Sequence, residues 1–156
     1  MTDDLSVTPA QYAAYRHWLI AAGSLEAHLA QTLAAEGLAT SEYRTLVVLD
    51  ESPNKRLRMS DLASVSLQSP SRSSHTITRL EAKGWVNRRP DEDDRRVIYV
   101  GLTARGEAVL ARAEPRYRAA VREAFIDPVG TDFIAELDLA MRRVVAATAN
   151  ASVRLG

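Results

Sequence analysis

Residues 85–106 constrain the fold of this chain more than any other segment. Residues 85–89 and 97–100 carry the β-branched, aromatic and alternating side chains that are typical of strands. Between them lies an acidic run that ends in the pair Arg95 and Arg96. Thr103 is a good N-cap for a helix that begins at Ala104. The segment therefore predicts a β-hairpin with a charged tip, followed at once by a long helix.

Charge is distributed unevenly along the chain, although the formal net charge is zero. Residues 1–54 contain two basic and seven acidic residues, residues 55–106 contain eleven basic and six acidic residues, and residues 107–156 contain seven of each. A middle segment with an excess of cations predicts a basic face, which the pI of the whole chain conceals. The alternative is a surface whose charges are uneven by chance.

Length and composition fit one soluble domain with a real core, because 156 residues are few for two domains. The chain has no cysteine, which excludes disulfides and thiolate zinc sites. No apolar run approaches the roughly 18 residues of a membrane span, and the acidic start lacks the features of a signal peptide. We expect a cytoplasmic protein with no membrane association.

The first fifty residues predict two helices. Apolar residues recur at steps of three and four from Pro9 to about Glu36, and Gly37 is a good helix-ending residue. Thr40 or Ser41 could cap a second helix, which ends before the turn cluster of residues 52–54. The apolar face of the first helix consists of Tyr12, Tyr15, Leu19, Ala22, Leu25, Leu29 and Leu33.

Residues 57–84 predict a short strand and a helix-turn-helix. Residues 57–59 could be a strand stub, and Ser60 is a plausible N-cap for residues 61–65. Ser69 and Pro70 are typical of a helix start, and Gly84 is a natural stop for the second short helix. Two short helices joined by a tight turn are typical of DNA-binding proteins.

The second short helix has the composition of a recognition helix. Its N-terminal half is small or polar, whereas Ile77 and Leu80 are apolar, so one face can pack while the other contacts DNA. Arg72 is the best candidate for a bidentate contact to guanine, and Ser71 and His75 could contact bases or phosphates. The alternative is a solvated amphipathic helix without a ligand.

The rest of the chain predicts two more helices. One runs from Thr103 to about Phe125, residues 127–130 break it, and Thr131 could cap a last helix. The predicted fold class is therefore mainly α with a small β-hairpin wing: a winged helix-turn-helix region plus a helical region.

With these elements located, the chain resembles the MarR family of winged helix-turn-helix transcriptional regulators. The resemblance extends over nearly the whole chain in helix order and implies one domain, 1–156. It implies dimerisation helices at 9–36 and 107–150 and a winged helix-turn-helix region at 40–106, with the recognition helix at 69–83 and the wing at 85–102. The residues that carry it are 69–71, 79–84, Asp91, 94–96 and 100–106.

The resemblance implies a homodimer that binds double-stranded DNA at a pseudo-palindromic operator. It implies that Arg95 enters the minor groove, that Asp94 helps to hold the wing and that Arg96 contacts phosphate. The residues assigned to DNA binding are Ser69, Ser71, Arg72, Ser74, His75, Arg79, Arg95 and Arg96.

By the same resemblance, an effector cleft would lie between the first two helices, the fifth helix and the winged domain. His17, Trp18, Tyr43 and Arg44 are candidate ligand-binding residues there, because rings can stack on an aromatic or phenolic acid and a cation can bind its carboxylate. The alternative is that Trp18 and Tyr43 only pack and that His17 lies on the surface.

These observations predict a homodimeric repressor that a small aromatic ligand releases from DNA. A helical protein-interaction module without specific DNA binding is the alternative. No nucleotide loop, metal-ligand spacing or nucleophile motif occurs, so we expect neither enzymatic activity nor a cofactor or metal.

Overall fold

A computed structural model describes residues 6–65 and 69–154 of the chain. They form a mainly helical structure with a small sheet, which confirms the predicted fold class. The chain divides into two compact units, residues 1–118 and residues 119–156, which are described separately. Among the described residues, no helix combines the length and the apolar character that crossing a membrane requires.

The first unit contains the two short helices and the wing in the predicted order, whereas residues 66–68, in the predicted turn between the helices, lie outside the described residues. Its helices are α1 (Pro9–Ala35), α2 (Thr40–Asp50), α3 (Met59–Val65), α4 (Pro70–Ala82) and the greater part of α5 (Ala104–Val121). Its strands are β1 (Arg56–Arg58), β2 (Val86–Pro90) and β3 (Ile98–Leu102).

The wing is a three-stranded antiparallel sheet with the order β1-β3-β2. The predicted hairpin is confirmed, with Val86 opposite Leu102 and Pro90 opposite Ile98. The strand stub is present one residue earlier than predicted, at Arg56–Arg58, because Met59 already belongs to α3. It joins the free side of β3 with Leu57 opposite Val100. The wing is therefore tied at its base to the segment that enters α3.

One apolar core holds these elements of the first unit together. Leu33 of α1 packs with residues of α2, α3, α4 and the sheet, which explains why each of these short elements is stable here. The residues of this core with no exposed surface are Leu33, Leu46, Leu49, Leu62, Ile77, Leu80, Val100 and Ala113.

Two predicted helix starts are wrong by one or two residues. The N-cap of α2 is Ala39 and not Thr40 or Ser41, because the carboxylate of Glu42 accepts the free N–H of Ala39 at 3.1 Å. Helix α3 begins at Met59, directly after β1, so Ser60 lies inside the helix and donates to the Asp61 carboxylate at 3.0 Å.

The predicted break at residues 127–130 is also largely wrong. Helix α5 passes into a π-helical turn, Arg122–Ile126, and then into the single turn α6, Asp127–Val129. Pro128 does not end the helix, because proline has a helical φ and removes only one N–H donor. The break comes at Gly130, whose φ of 82° favours glycine.

The second unit ends with α7, Ile134–Arg154. Thr131 was predicted to cap this helix, but it lies in a 3-10 turn, Thr131–Phe133, that precedes it. The exposed large apolar residues of this unit are Phe133, Leu139, Val144 and Val145.

Candidate nucleic-acid interface

Helix α4 has the two faces that the sequence predicts. The hydroxyl of Ser69 accepts the N–H of Arg72 at 3.4 Å, and Pro70 occupies the first helical position. The buried face consists of Ser73, Thr76, Ile77 and Leu80. Ser71, Arg72, Ser74 and His75 are exposed along the N-terminal half.

The C-terminal half of α4 is anchored to α2 by a buried carboxylate. Glu42 is 2% exposed. Both of its oxygens lie 2.9 Å from the ammonium of Lys83, and one lies 3.5 Å from Nε of Arg79. Arg79 also donates to the hydroxyl of Ser41 at 3.4 Å. Arg79, a predicted DNA contact, is thus engaged inside the first unit, and its role in DNA binding stays a prediction.

The charge of Glu42 is maintained by these contacts. Burial acts to raise the pKa of the Glu42 carboxyl, because it penalises the charged form. The hydrogen bond and charge of Lys83, the N–H of Ala39 and the hydrogen bond of Arg79 outweigh burial, so the pKa lies below its usual value of 4.5. Glu42 is therefore a carboxylate at neutral pH, and it fixes α4 on α2.

A second ion pair braces the wing against α4. The guanidinium of Arg88 on β2 donates to the carboxylate of Glu81 and, at 3.0 Å, to the hydroxyl of Thr78. The backbone N–H of Arg88 also donates to Glu81 at 3.3 Å. The position of the hairpin relative to α4 is therefore fixed.

The wing tip is held by hydrogen bonds between residues that are two or three positions apart in the chain. One carboxylate oxygen of Asp91 accepts the backbone N–H groups of Asp93 and Asp94, each at 3.1 Å. Asp94 accepts the N–H of Arg96 at 3.0 Å and its Nε at 3.1 Å. These bonds to Arg96 lower the pKa of the Asp94 carboxyl. The predicted role of Asp94 as wing support is consistent with this geometry.

Two of the predicted DNA-contact arginines are free cations. Within residues 6–65 and 69–154, neither Arg72 nor Arg95 forms a salt bridge, and both are exposed. Arg96 differs, because its guanidinium pairs with Asp94 while its side chain stays 92% exposed. A phosphate could therefore bind Arg72 or Arg95 without displacing a carboxylate.

The base of the wing is closed by Thr103 and Gly106. The hydroxyl of Thr103 accepts the N–H of Gly106 at 3.1 Å and donates to the carbonyl of Gly84 at 2.8 Å, so it caps α5 as predicted. Gly106 lies so close to the strand entry that a Cβ atom would be 2.2 Å from the carbonyl oxygen of Trp85. Only glycine fits there.

The four candidate ligand residues are not gathered at one point. Tyr43 is buried, with its ring 4.4 Å from that of Tyr117, and burial raises its pKa to about 12. Arg44 is paired with Glu26 at 3.4 Å. Trp18 is half-exposed on α1, eight residues before Glu26 and hence about 12 Å along the helix axis. His17 is exposed beside it, and the role of the four in ligand binding stays a prediction.

The residues that position α4 and the wing cannot be recognised from the sequence. Glu42, Glu81 and Arg88 each pair with a residue of another element. The signal available in the sequence was weak: Glu42 stands three residues after the helix start, where a carboxylate can accept the N-cap N–H.

Comparisons with known proteins place the chain in a family. Residues 38–98 match the model of the MarR family. The chain is similar to AbsC, a MarR family transcriptional regulator from Streptomyces coelicolor, with 36% identity and a TM-score of 0.88 over 93% of this chain and 98% of that chain. It is also similar to Sco3205 from the same organism, a MarR family transcriptional regulator solved in complex with DNA, with 35% identity and a TM-score of 0.88 over 94% of this chain and 92% of that chain.

A further relative is the transcriptional repressor MprA of Escherichia coli. It is 28% identical over 83 residues, which are 53% of this chain and 47% of the repressor, so the match spans about half of the length of that protein. The structural matches, in contrast, cover both chains almost completely at more than 30% identity. The chain therefore belongs to the MarR family of transcriptional regulators.

Proposed function

We propose that this protein is a sequence-specific DNA-binding regulator that acts as a homodimeric repressor on a pseudo-palindromic operator. The observation that carries the proposal is the pairing of an exposed polar helix face with a rigid cationic hairpin. Arg72 lies on the exposed face of α4, Arg95 lies at the wing tip, and neither forms a salt bridge with a carboxylate in the described part of the chain.

The chemistry of the two elements is complementary. A helix in the major groove can discriminate bases through an arginine that bonds both acceptors of guanine, with serine and histidine beside it. A hairpin arginine can enter the minor groove and add affinity. Glu42 and Arg88 hold α4 and the wing in place, which reduces the loss of conformational entropy on DNA binding.

Relatives support the same function. Sco3205, at 35% identity, was solved in complex with DNA. The curated relative MprA is named a transcriptional repressor. A dimer on a promoter can repress simply by occupying the site, and DNA binding places the proposed activity in the cytoplasm.

The proposal of a homodimer rests on exposed apolar helix faces. Tyr12, Tyr15, Trp18, Leu19 and Ile20 are exposed on α1, and α7 exposes Leu139, Val144 and Val145. Apolar residues that a single chain leaves in water favour an isologous interface. We infer that α1 and the helices of 107–150 form it, and that the chain is one MarR-like domain without catalytic activity.

Selection of bound sequences from a random DNA pool tests the function directly. We expect an enriched pseudo-palindrome whose half-sites lie about one helical turn apart. Binding to that sequence should fall steeply with salt, and light scattering should give twice the mass of the chain. An unenriched pool, with weak binding that does not depend on sequence, would favour a protein-interaction module instead.

A further inference from the structure

The outer face of the wing carries arginines that the DNA-contact assignment does not include. In an antiparallel sheet, residues directly opposite each other share a face. Arg58 on β1 and Arg89 on β2 both lie opposite Tyr99 on β3, while Arg56 lies opposite Gly101. The neighbouring residue Val100 is fully buried on the other face. The arginines therefore surround Tyr99 on the side of the sheet away from the core.

Two of these arginines are held by the Tyr99 side chain. The guanidinium carbon of Arg56 lies 5.0 Å from the centre of the ring, and that of Arg58 lies 5.9 Å from it. Nε of Arg58 also donates to the Tyr99 hydroxyl at 3.2 Å. A guanidinium held on an aromatic ring keeps free N–H groups and loses less entropy on binding an anion. We refer to Arg56, Arg58 and Tyr99 as the β1 cluster.

The arginines of the β1 cluster are not in direct contact with a carboxylate. In the described residues, neither Arg56 nor Arg58 forms a salt bridge, whereas Lys55 pairs with Asp50 at 2.9 Å and with Glu107 at 3.1 Å. Asp61 and Asp91 attract the Arg58 guanidinium only from a greater distance. The cations of β1 remain available for an anion from outside.

Acidic residues near the β1 cluster limit the directions from which an anion can approach it. Asp91, Glu92 and Asp93 line a shallow cavity together with Arg56, Arg89 and Tyr99. The Asp91 carboxylate is engaged with the backbone of the tip. Glu92 and Asp93 are exposed and would repel an anion on the tip side of the cavity. The accessible side is therefore the one formed by β1.

We propose that the β1 cluster binds a phosphate group of the DNA backbone, outside the bases that α4 and the wing tip contact. The inference rests on the proposed function, because it extends the same interface. Two guanidinium groups suit phosphate oxygens, and contacts to phosphate fix the position of a protein on DNA without reading bases. The cluster adds affinity and fixes the position of the protein along the DNA, but it gives no sequence preference.

The salt dependence of binding tests this inference with the double variant Arg56→Ala/Arg58→Ala. The slope of log affinity against log salt should fall by about 2, since the dimer would lose one phosphate contact in each half-site and each contact contributes about 0.9. Affinity for the selected operator and for unrelated DNA should fall by the same factor. Arg56→Lys/Arg58→Lys should restore most of the slope, because a point charge suffices for a phosphate.

The control is the state of the variant protein itself: the alanine pair should keep the wild-type melting temperature and the dimeric mass in light scattering. The inference is overturned, with the proposed function intact, if the alanine pair keeps the wild-type slope. It is equally overturned if the lysine pair binds as weakly as the alanine pair and both pairs have a lower melting temperature than the wild type, since the arginines would then be structural. Wild-type protein that binds no operator overturns both proposals.

Discussion

The ammonium of Lys83 lies 2.9 Å from the carboxylate of Glu42, although 41 positions separate them in the chain. The contact joins the first turn of α2 to the end of the recognition helix. Lys83 also lies over the ring of Trp85, 4.4 Å from its centre, where the chain enters the wing. One buried carboxylate is therefore connected both to the end of α4 and, through Lys83, to the start of the wing.

Glu42→Gln should lower the free energy of unfolding by about 1–2 kcal/mol at pH 7, because the neutral amide loses the charged hydrogen bonds to Lys83 and Arg79. The loss is limited because both cations are partly exposed to water. The pKa of Glu42 is lower in the folded protein than its usual value of 4.5, so its contribution is complete above that pH. It is lost as the pH falls through the folded pKa. Urea denaturation across this range should show the two proteins converging in acid; a constant difference would contradict the assignment.

Gly106→Ala should destabilise the protein by about 2 kcal/mol or more, because the new Cβ atom would overlap the carbonyl oxygen of Trp85. Gly23→Ala is the matched control. A Cβ at Gly23 meets no atom within 4 Å, so this helix position should gain up to about 1 kcal/mol. Thermal melting of both variants measures the difference, and an unchanged melting temperature for Gly106→Ala would refute the close approach.

Arg72→Ala and Arg95→Ala should change DNA binding in different ways. Loss of Arg72 should relax the preference at one base pair of each half-site, at a cost of about 1–3 kcal/mol for the preferred base. Loss of Arg95 should weaken binding to the operator, mainly through the minor groove. Repeating the selection from a random pool with each variant distinguishes them. An Arg72→Ala protein that enriches the wild-type sequence would exclude Arg72 from base recognition.

An aromatic or phenolic acid should quench Trp18 fluorescence and release the protein from DNA if the effector hypothesis holds. Trp18 is 45% exposed and stacks near Tyr15, with 6.2 Å between the ring centres. Trp18→Phe retains Trp85 and serves as the control, because the signal should then disappear. Arg44→Gln should weaken the response. If DNA release persists while no acid changes the fluorescence, the effector binds elsewhere.

Local sequence patterns were sufficient to predict most of the helices and strands. Ser69 with Pro70, Gly84, and Thr103 each mark a helix boundary that the structure confirms, because caps and left-handed glycines depend on a few adjacent residues. Pro128 was misleading. Its place in residues 127–130 predicts a helix break, but a proline within a helical segment removes one hydrogen bond, which the surrounding structure tolerates.

The candidate site was predicted in part. The exposure of Arg72 and Arg95 follows from the polar face of α4 and from the hairpin tip, both of which are local patterns. The engagement of Arg79 with Glu42 and the contact between the tilted rings of Tyr43 and Tyr117 could not be predicted, because the partners lie on other helices. A residue that looks available in sequence can thus be committed inside the fold.

By itself, the sequence determined the helix order, the hairpin with Arg95 at its tip and the membership of the MarR family, since these depend on local propensity, capping and motif. Only the tertiary structure decided that Glu42 fixes the recognition helix, that Arg88 braces the wing, and that β1 brings Arg56 and Arg58 to Tyr99. The physical reason is that ion pairs and cation–π contacts depend on distances of a few ångströms between residues that are far apart in the chain.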